Sequence, residues 1–370
     1  LIQQNTIGIT FDAVNVWGGE ENNPPIYGQA FVCLKPTGAL TLTDTQKQEL
    51  ITNVLKPISV VTVEPTIVDP DYTYIKLSTN VLYNSKLTNY GSSQISSIVS
   101  TAINNYTANN LNTFNSVFSA TDVAIAIKTS DASIITSETD VMLQKKIYPN
   151  LNSPTTYNLY FNVPLERGLF TSGVTSSPSM TYFNPAIANN ITGVYIEEIP
   201  SATSGVQNIS IINPGYSYQV TPTVTISGDG SGANAYAILN TTNGSISSIQ
   251  LTSSGNNYSY AVVTITPAPQ DTTGSGGAAA AILTGSLGTL RSYYYNNNIK
   301  TILNSNVGSI DYGKGIITLN NFNPVDVNNP LGELTITATP KSQIISSTFN
   351  TIITVDPYDP NAIVVSVTAQ

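Results

Sequence analysis

Two consecutive stretches of this chain repeat the same pattern, and that limits its folds more than any other feature. Ile209, Gly215 and Tyr218 recur as Ile249, Gly255 and Tyr258, and Val224-Thr225-Ile226 recurs as Val263-Thr264-Ile265. A Gly-rich turn and an Ala-rich segment close each copy, beginning at Gly228 and Gly274. The period is about forty residues, and each copy reads as three short strands whose apolar face it cannot bury alone. Two copies are expected to share one β core, with Ile209, Val224 and Ile226 pairing with Ile249, Val263 and Ile265. Tyr218 and Tyr258 are expected to close equivalent ends, and glycine supplies the corners because it reaches positive φ without steric strain.

Composition narrows the chemistry. Of 370 residues only 9% are charged, none is histidine, one is cysteine and the net charge is −9. Without histidine there is no His triad, no His-bound zinc and no histidine pH switch. The two arginines, Arg167 and Arg291, and the scattered lysines form no basic cluster, which argues against nucleic-acid binding. A lone cysteine, Cys33, closes no intrachain disulfide. No apolar run reaches the ~20 residues that span a bilayer. The first residues, Leu1 to Gln4, lack the basic start and apolar core of a signal peptide, and the absence of an initial Met leads us to expect a preceding segment.

Along the first 165 residues helical and strand patterns alternate. Thr43 and Gln46 form a capping-box signature ahead of Leu50, Ile51, Val54 and Leu55, and Pro57 ends that helix. Residues 58–68 are β-branched and read as a strand broken at Pro65. Residues 72–83 alternate as a half-buried strand. Ile95, Ile98, Val99, Ala102, Ile103 and Tyr106 mark one face of a second helix, and Ser119 opens a third with Val123, Ala124 and Ile127 inward. Strands follow at 141–147 and 157–163. Past the repeats, 308–319 reads as a hairpin turning at Gly313-Lys314-Gly315, with further strands at 334–339, 351–355 and 363–367.

The fold class expected is α+β: a two-layer helix-on-sheet domain (1–165), a linker (166–189), an inserted all-β repeat module (190–288) and a C-terminal β domain (289–370).

No constellation reads as a catalytic, metal or nucleic-acid site. Asp69-Pro70-Asp71, near Glu64, and Asp356-Pro357-Tyr358-Asp359-Pro360 have the chemistry of turns. The Gly-rich stretches at 228–232 and 274–277 precede strand-like segments, not the helix a phosphate loop requires. Cys33, in an apolar run without an adjacent base, reads as a buried structural thiol. Glu197-Glu198 reads as a solvated loop or strand edge. One stretch, with Trp17, Glu20, Glu21, Pro24, Pro25 and Tyr27, reads either as a solvated loop anchored by Trp17 or, the reading favoured, as a rigid contact loop for a partner. Two prolines and two glycines exclude it from helix and central strand, and single Trp residues often anchor interfaces.

Longer strings carry a resemblance. Gly18 to Gln29 running into Ala30–Pro36, Val68 to Tyr74, Asn110 to Asn115, Met142 to Lys146, Gly308 to Tyr312 and Ile336 to Pro340 together resemble the baseplate wedge subunits of contractile-tailed, T-even-type phages, within the baseplate J-like family. The resemblance covers 1–165 and 289–370, with the repeats as an insertion. It implies a structural virion protein, not an enzyme, with no cofactor. It also implies partners: a second copy within each wedge, and a ring of six wedges around the tail hub. Other wedge subunits would bind as well, among them a long scaffold subunit and a small lysozyme-like one, with no nucleic acid and no membrane. The ring would rearrange as the sheath contracts. Localisation would be the virion tail baseplate, with assembly in the host cytoplasm, and family members carry a longer N-terminal portion.

A second reading is a carbohydrate-binding or host-adhesion module, supported by 21 Tyr and the Gly-rich β repeat. A third, a hydrolase built on paired carboxylates, has no well-supported pair behind it.

Overall fold

The computed structural model describes residues 8–22, 24–60, 62–167, 173–185, 187–199, 205–258, 261–283 and 287–370. The chain first builds a small unit. Phe11–Gly18 pairs antiparallel with Gln29–Pro36, which pairs in parallel with Glu64–Val68. The parallel return requires a crossover, supplied by helix α1 (Asp44–Leu50) and the turns at Ile51–Leu55 and Lys56–Ile58. The expected capping box forms: Gln46 N–H donates to Thr43 Oγ1 (3.3 Å) and Thr43 N–H donates to Gln46 Oε1 (3.0 Å). Val32, Leu34, Leu42, Leu50 and Leu55 make this unit's own core. The strand expected over 58–68 shrinks to Glu64–Val68, and Pro65 lies inside it rather than breaking it. An edge strand tolerates proline because one side of its backbone needs no donor.

Asp71–Tyr83 is central to a much larger sheet. It pairs antiparallel with Ile134–Ile147, and on its other side it pairs in parallel with Thr351–Val355 and then Ile363–Ala369. From Ile134–Ile147 the sheet continues through Leu334–Ala338, Thr175–Ser177, Asn189–Ile199, Leu287–Asn296, Ile299–Asp311, Ile316–Phe322 and Thr155–Tyr160. Helix α2 (Ser92–Asn110) buries Ile95, Val99 and Ile103; helix α3 (Ala120–Ser130) buries Ala120, Val123 and Ile127. They pack on each other, α2 against Ile363–Ala369 and α3 against Ile134–Ile147, within one core shared with Leu77, Leu143 and Ile317. The Ser119 cap forms as expected, accepting from Asp122 N–H at 3.2 Å.

The described residues are mostly β, with 53% strand and 14% helix, against the α+β balance expected. The boundaries drawn from sequence also differ from the ladders. Strands from 71–160 and from 287–369 interleave in one sheet, so 289–370 shares its core with the earlier part. Thr175–Ser177 and Met180–Asn184 place strands in the stretch expected to be a linker. Asn189–Ile199, assigned to the insert, belongs to the large sheet and pairs with Leu287–Asn296. Periodicity reveals which residues are strands but not which distant strand each one joins.

Residues 205–283 make a separate six-stranded unit, three strands per copy as expected. Val224 faces Ile265 and Ile226 faces Val263, as the sequence implied. Ile209 and Ile249 enter the same core but face Ala281 and Ala237. Tyr218 and Tyr258 are buried at equivalent ends. The ring of each lies where a side chain at Gly215 (φ +63°) or Gly255 (φ +62°) would stand.

Candidate contact surface

The loop singled out in the sequence divides into an anchor and a tip. Trp17, only 8% exposed, stacks on Phe31 (ring centroids 5.7 Å apart, 15°) and leans on Phe349 at 5.5 Å. Its indole N–H donates to Asn22 Oδ1 at 2.9 Å. With Ala13, Cys33, Phe114 and Ile352 it forms the cluster that joins the small unit to the large sheet. The side chain proposed as an interface anchor is therefore occupied by its own chain. The loop folds back where Ile26 N–H donates to the Gly19 carbonyl at 2.8 Å, so close that a Cβ at Gly19 would strike the Ile26 carbonyl. Glu21 accepts from Gly18 N–H at 3.2 Å.

The tip faces outward. Glu20, Glu21, Pro24 and Pro25 are exposed, and Tyr27 is 80% exposed. Glu64 N–H donates to the Gly28 carbonyl at 2.9 Å, which sets residues 26–28 beside 62–64. Ile26, Tyr27, Val60 and Val63 are thus exposed apolar residues at one end of the three-stranded sheet. The 58–63 half of this surface was read as strand, so sequence reasoning missed it; the signal available was a β-branched run with no alternation.

Asp69 and Asp71 pin the joint between the two units. Asp69 pairs with Lys47 at 2.7 Å, and that hydrogen bond holds the Lys47 ammonium above the ordinary lysine range. Asp71 pairs with Lys145 at 2.6 Å; burial pulls the Lys145 pKa down against the attraction of Asp71. Between them Pro70 is buried, and Asn350 brackets it. Its side-chain amide donates to the Asp69 carbonyl (2.9 Å), and its carbonyl accepts from Asp71 N–H (2.8 Å). The second Asp-Pro turn is held likewise: Lys146 pairs with Asp356 (2.6 Å) and Glu333 (2.8 Å). Burial opposes the Lys146 charge, but these two carboxylates outweigh it and raise its pKa. A cleft of about 780 Å³, lined by Lys35, Tyr72, Tyr74, Asn104, Asp356 and Tyr358, lies between the units.

The remaining sequence candidates are structural. Burial pushes the Cys33 thiol up to about 12, so it is not a thiolate at neutral pH. The Gly-rich stretches lead into Ser231–Leu239 and Ser275–Leu283, both strands. Glu197 and Glu198 lie mid-sheet, not in a solvated loop. Glu197 pairs with Arg291 at 2.7 Å and with Lys300, while buried Glu198 accepts from Val174 N–H (3.0 Å) and from the Tyr312 hydroxyl. Among the described residues no group of three Asp, Glu, Cys or His side chains could hold a metal ion. No helix there is long and apolar enough to cross a membrane.

Comparison with known proteins places these units. Residues 1–68 match the family model for baseplate structural protein gp6, C-terminal domain I, and residues 71–146 match that for C-terminal domain III. The gap between the matches, 69–70, coincides with the Asp69–Pro70 joint. The baseplate wedge protein gp6 of Enterobacteria phage T4 is 24% identical over 196 residues, which cover 52% of this chain and 30% of that protein. The chain thus spans less than a third of that relative's length. In its first 146 residues it is similar to C-terminal domains I and III of gp6, and its likeness is to the baseplate wedge subunits of T4-like phages.

Proposed function

We propose that this chain is a structural subunit of a contractile phage tail: a baseplate wedge subunit that forms the inner ring around the hub, links wedges, and rearranges when the sheath contracts. The observation that carries the reading is the succession of two gp6 domain matches whose border coincides with the joint at Pro70. In this reading the subunit pairs with a second copy in each wedge and six wedges close the ring. The long scaffold subunit, the small lysozyme-like subunit and the hub are its other partners. It works in the virion baseplate after assembly in the host cytoplasm. It performs no catalysis, in keeping with carboxylates engaged by lysines and a thiol kept protonated by burial.

The tip at Glu20, Glu21, Pro24, Pro25 and Tyr27, with Ile26, Val60 and Val63, serves as a subunit contact, since exposed apolar side chains bordered by polar and acidic ones suit the core and rim of an interface. The 205–283 unit decorates the ring rather than closing it. Cryo-EM of the intact tail is the test: density for this chain should encircle the hub with the tip against a neighbouring subunit. Density at the tail periphery would overturn the ring assignment.

That peripheral outcome would favour host adhesion through sugars. One observation supports it: between 205 and 283 the only charged residues are Asp229 and Asp271, a surface suited to neutral hydrogen-bonding ligands. Glycan binding by the purified chain, lost on removal of 205–283, would distinguish that reading.

A further inference from the structure

We propose that the repeat unit is a two-fold strand-exchange coupling, whose halves can pair between two copies of this chain as they pair within one. The ladders carry the argument. The first strand of copy one, Val206–Tyr216, pairs with the third strand of copy two, Ser275–Leu283. The first strand of copy two, Ile246–Asn256, pairs with the third strand of copy one, Ser231–Leu239. The two middle strands, Thr223–Gly228 and Ala261–Thr266, pair with each other. Among the described residues the one ladder inside a copy is the short match of Val262 and Val263 with Ala280 and Ala279. Each copy therefore depends on the other for its hydrogen bonds as well as for its core.

The pairing between the copies is also symmetric when they are exchanged. Val224 opposite Ile265 corresponds to Val263 opposite Ile226. Ile209 opposite Ala281 corresponds to Ile249 opposite Ala237, and Tyr216 opposite Ser275 to Asn256 opposite Ser231. The tyrosines follow the same rule. Gly277 N–H donates to the Tyr218 hydroxyl at 3.1 Å, and Ala233 N–H donates to the Tyr258 hydroxyl at 3.4 Å. Thr225 opposite Thr264 lies on the pseudo-two-fold axis, with both side chains exposed. This is the isologous geometry of a homodimer, with both halves on one chain.

The covalent connection between the halves is slight. It is the turn from Asn240 to Ser245, closed by Asn240 N–H to the Ser245 carbonyl (2.8 Å) and Gly244 N–H to the Asn240 carbonyl (2.9 Å), with residues 240–243 exposed. When that turn cannot close, the half that completes copy one must come from another molecule. A short hinge under strain is the usual route to such exchange. The partner is a second copy of this chain, because the register that each half offers is the register its own repeat supplies.

The test uses the full chain with Cys33→Ala, so that no other thiol is present. With Thr225→Cys and Thr264→Cys, oxidation should close a bond within one chain and leave the mass unchanged. Removing residues 244–283 and bridging 243 to 287 with Gly/Ser leaves one copy. Thr225→Cys in that chain should then cross-link to Thr225→Cys of a second molecule and double the mass, as a residue on the axis pairs with itself. A single-copy chain that keeps the cooperative melt of the large sheet but gives no cross-link at 225 would overturn the proposal. If that chain fails to fold, the two-copy chain with residues 241–243 deleted decides: a cross-link from 225 to 264 between molecules supports exchange, and a cross-link within one molecule, or none, overturns it.

Discussion

Asp271 illustrates how much a single side chain can hold in a unit with so little charge. Its carboxylate accepts from the backbone N–H of Gln219 (2.8 Å), Val220 (3.1 Å), Thr273 (3.1 Å) and Gly274 (3.0 Å), tying a loop of copy two to copy one. Those backbone bonds, led by Val220 and Gly274, hold its pKa well below the ordinary carboxylate range. The folded pKa is depressed, so the contribution is complete above the unfolded value of about 3.9 and fades as pH falls through the folded value. Asp271→Asn should therefore melt below the parent at pH 7, and the gap should narrow as pH falls below about 4. Melts of both chains at pH 7 and in strong acid check this; an unchanging gap would mean that shape, not charge, is what matters. On α2, Ile103 is wholly buried in the core shared with the large sheet, so Ile103→Ala should lower stability by ~2–5 kcal/mol, measured by urea unfolding. Asp71→Asn would leave the buried Lys145 ammonium unpaired. Because Asp71 keeps 38% of its side chain exposed, we expect a loss of about 2 kcal/mol rather than the full cost of a buried pair, with Lys145→Met in the same chain restoring part of it.

At the scale of elements, what the sequence disclosed depended on how local the controlling contact was. The Thr43–Gln46 box, the Ser119 cap, the face of α2 and the hairpin turning at residues 313–315 each rest on neighbours within a few positions, and all form as the pattern implied. The 58–68 segment failed because β-branched residues propose a strand but only a partner ladder makes one, and Gln29–Pro36 offers a partner only from Glu64 onward. The contact loop was legible as an irregular, exposed element. The direction of Trp17 was not, since Phe349 and Ile352, which claim its surface, are more than three hundred positions away. Glu198 was misjudged for the same reason, its partner Tyr312 being distant in sequence. The loop thus separates into two roles that mutation can resolve. Trp17→Ala should destabilise the chain by about 3–5 kcal/mol, as expected for a buried aromatic. Tyr27→Ala should shift stability by less than about 0.5 kcal/mol, as at an exposed site, yet weaken incorporation of the chain into tails. Thermal melts and tail-incorporation counts on the same two variants check both halves. A Tyr27→Ala chain that assembles normally would remove the tip from the interface.

For the whole molecule, ladder connectivity rather than sequence order decides which pieces stand alone. Residues 205–283 leave and rejoin the large sheet between Asn189–Ile199 and Leu287–Asn296, two strands already hydrogen-bonded to each other up to Ile199 opposite Thr289. That base has its own fastenings: Glu197 with Arg291 and Lys300, and Glu198 with Tyr312, whose ring also lies beneath the Arg167 guanidinium at 5.2 Å. None of these depends on the repeats, whose core is a separate cluster. Replacing 205–283 with a short Gly/Ser bridge should therefore leave one cooperative melt for the remainder. The opposite cut should fail. A chain ending at residue 288 keeps every residue of the helices, yet it loses Thr351–Val355 and Ile363–Ala369 from the side of Asp71–Tyr83, Leu334–Ala338 from Ile134–Ile147, and Ile316–Phe322 from Thr155–Tyr160. These four ladders are lost among others, together with the buried Ile336, Ile352 and Ile353, far more than the 5–15 kcal/mol margin of an ordinary domain can absorb. Calorimetry of the two deletions decides the point: a sharp transition in the internally deleted chain with none from the large sheet in the truncated one is the expected result. A sharp large-sheet transition in the 1–288 chain would show that the C-terminal strands form a domain of their own.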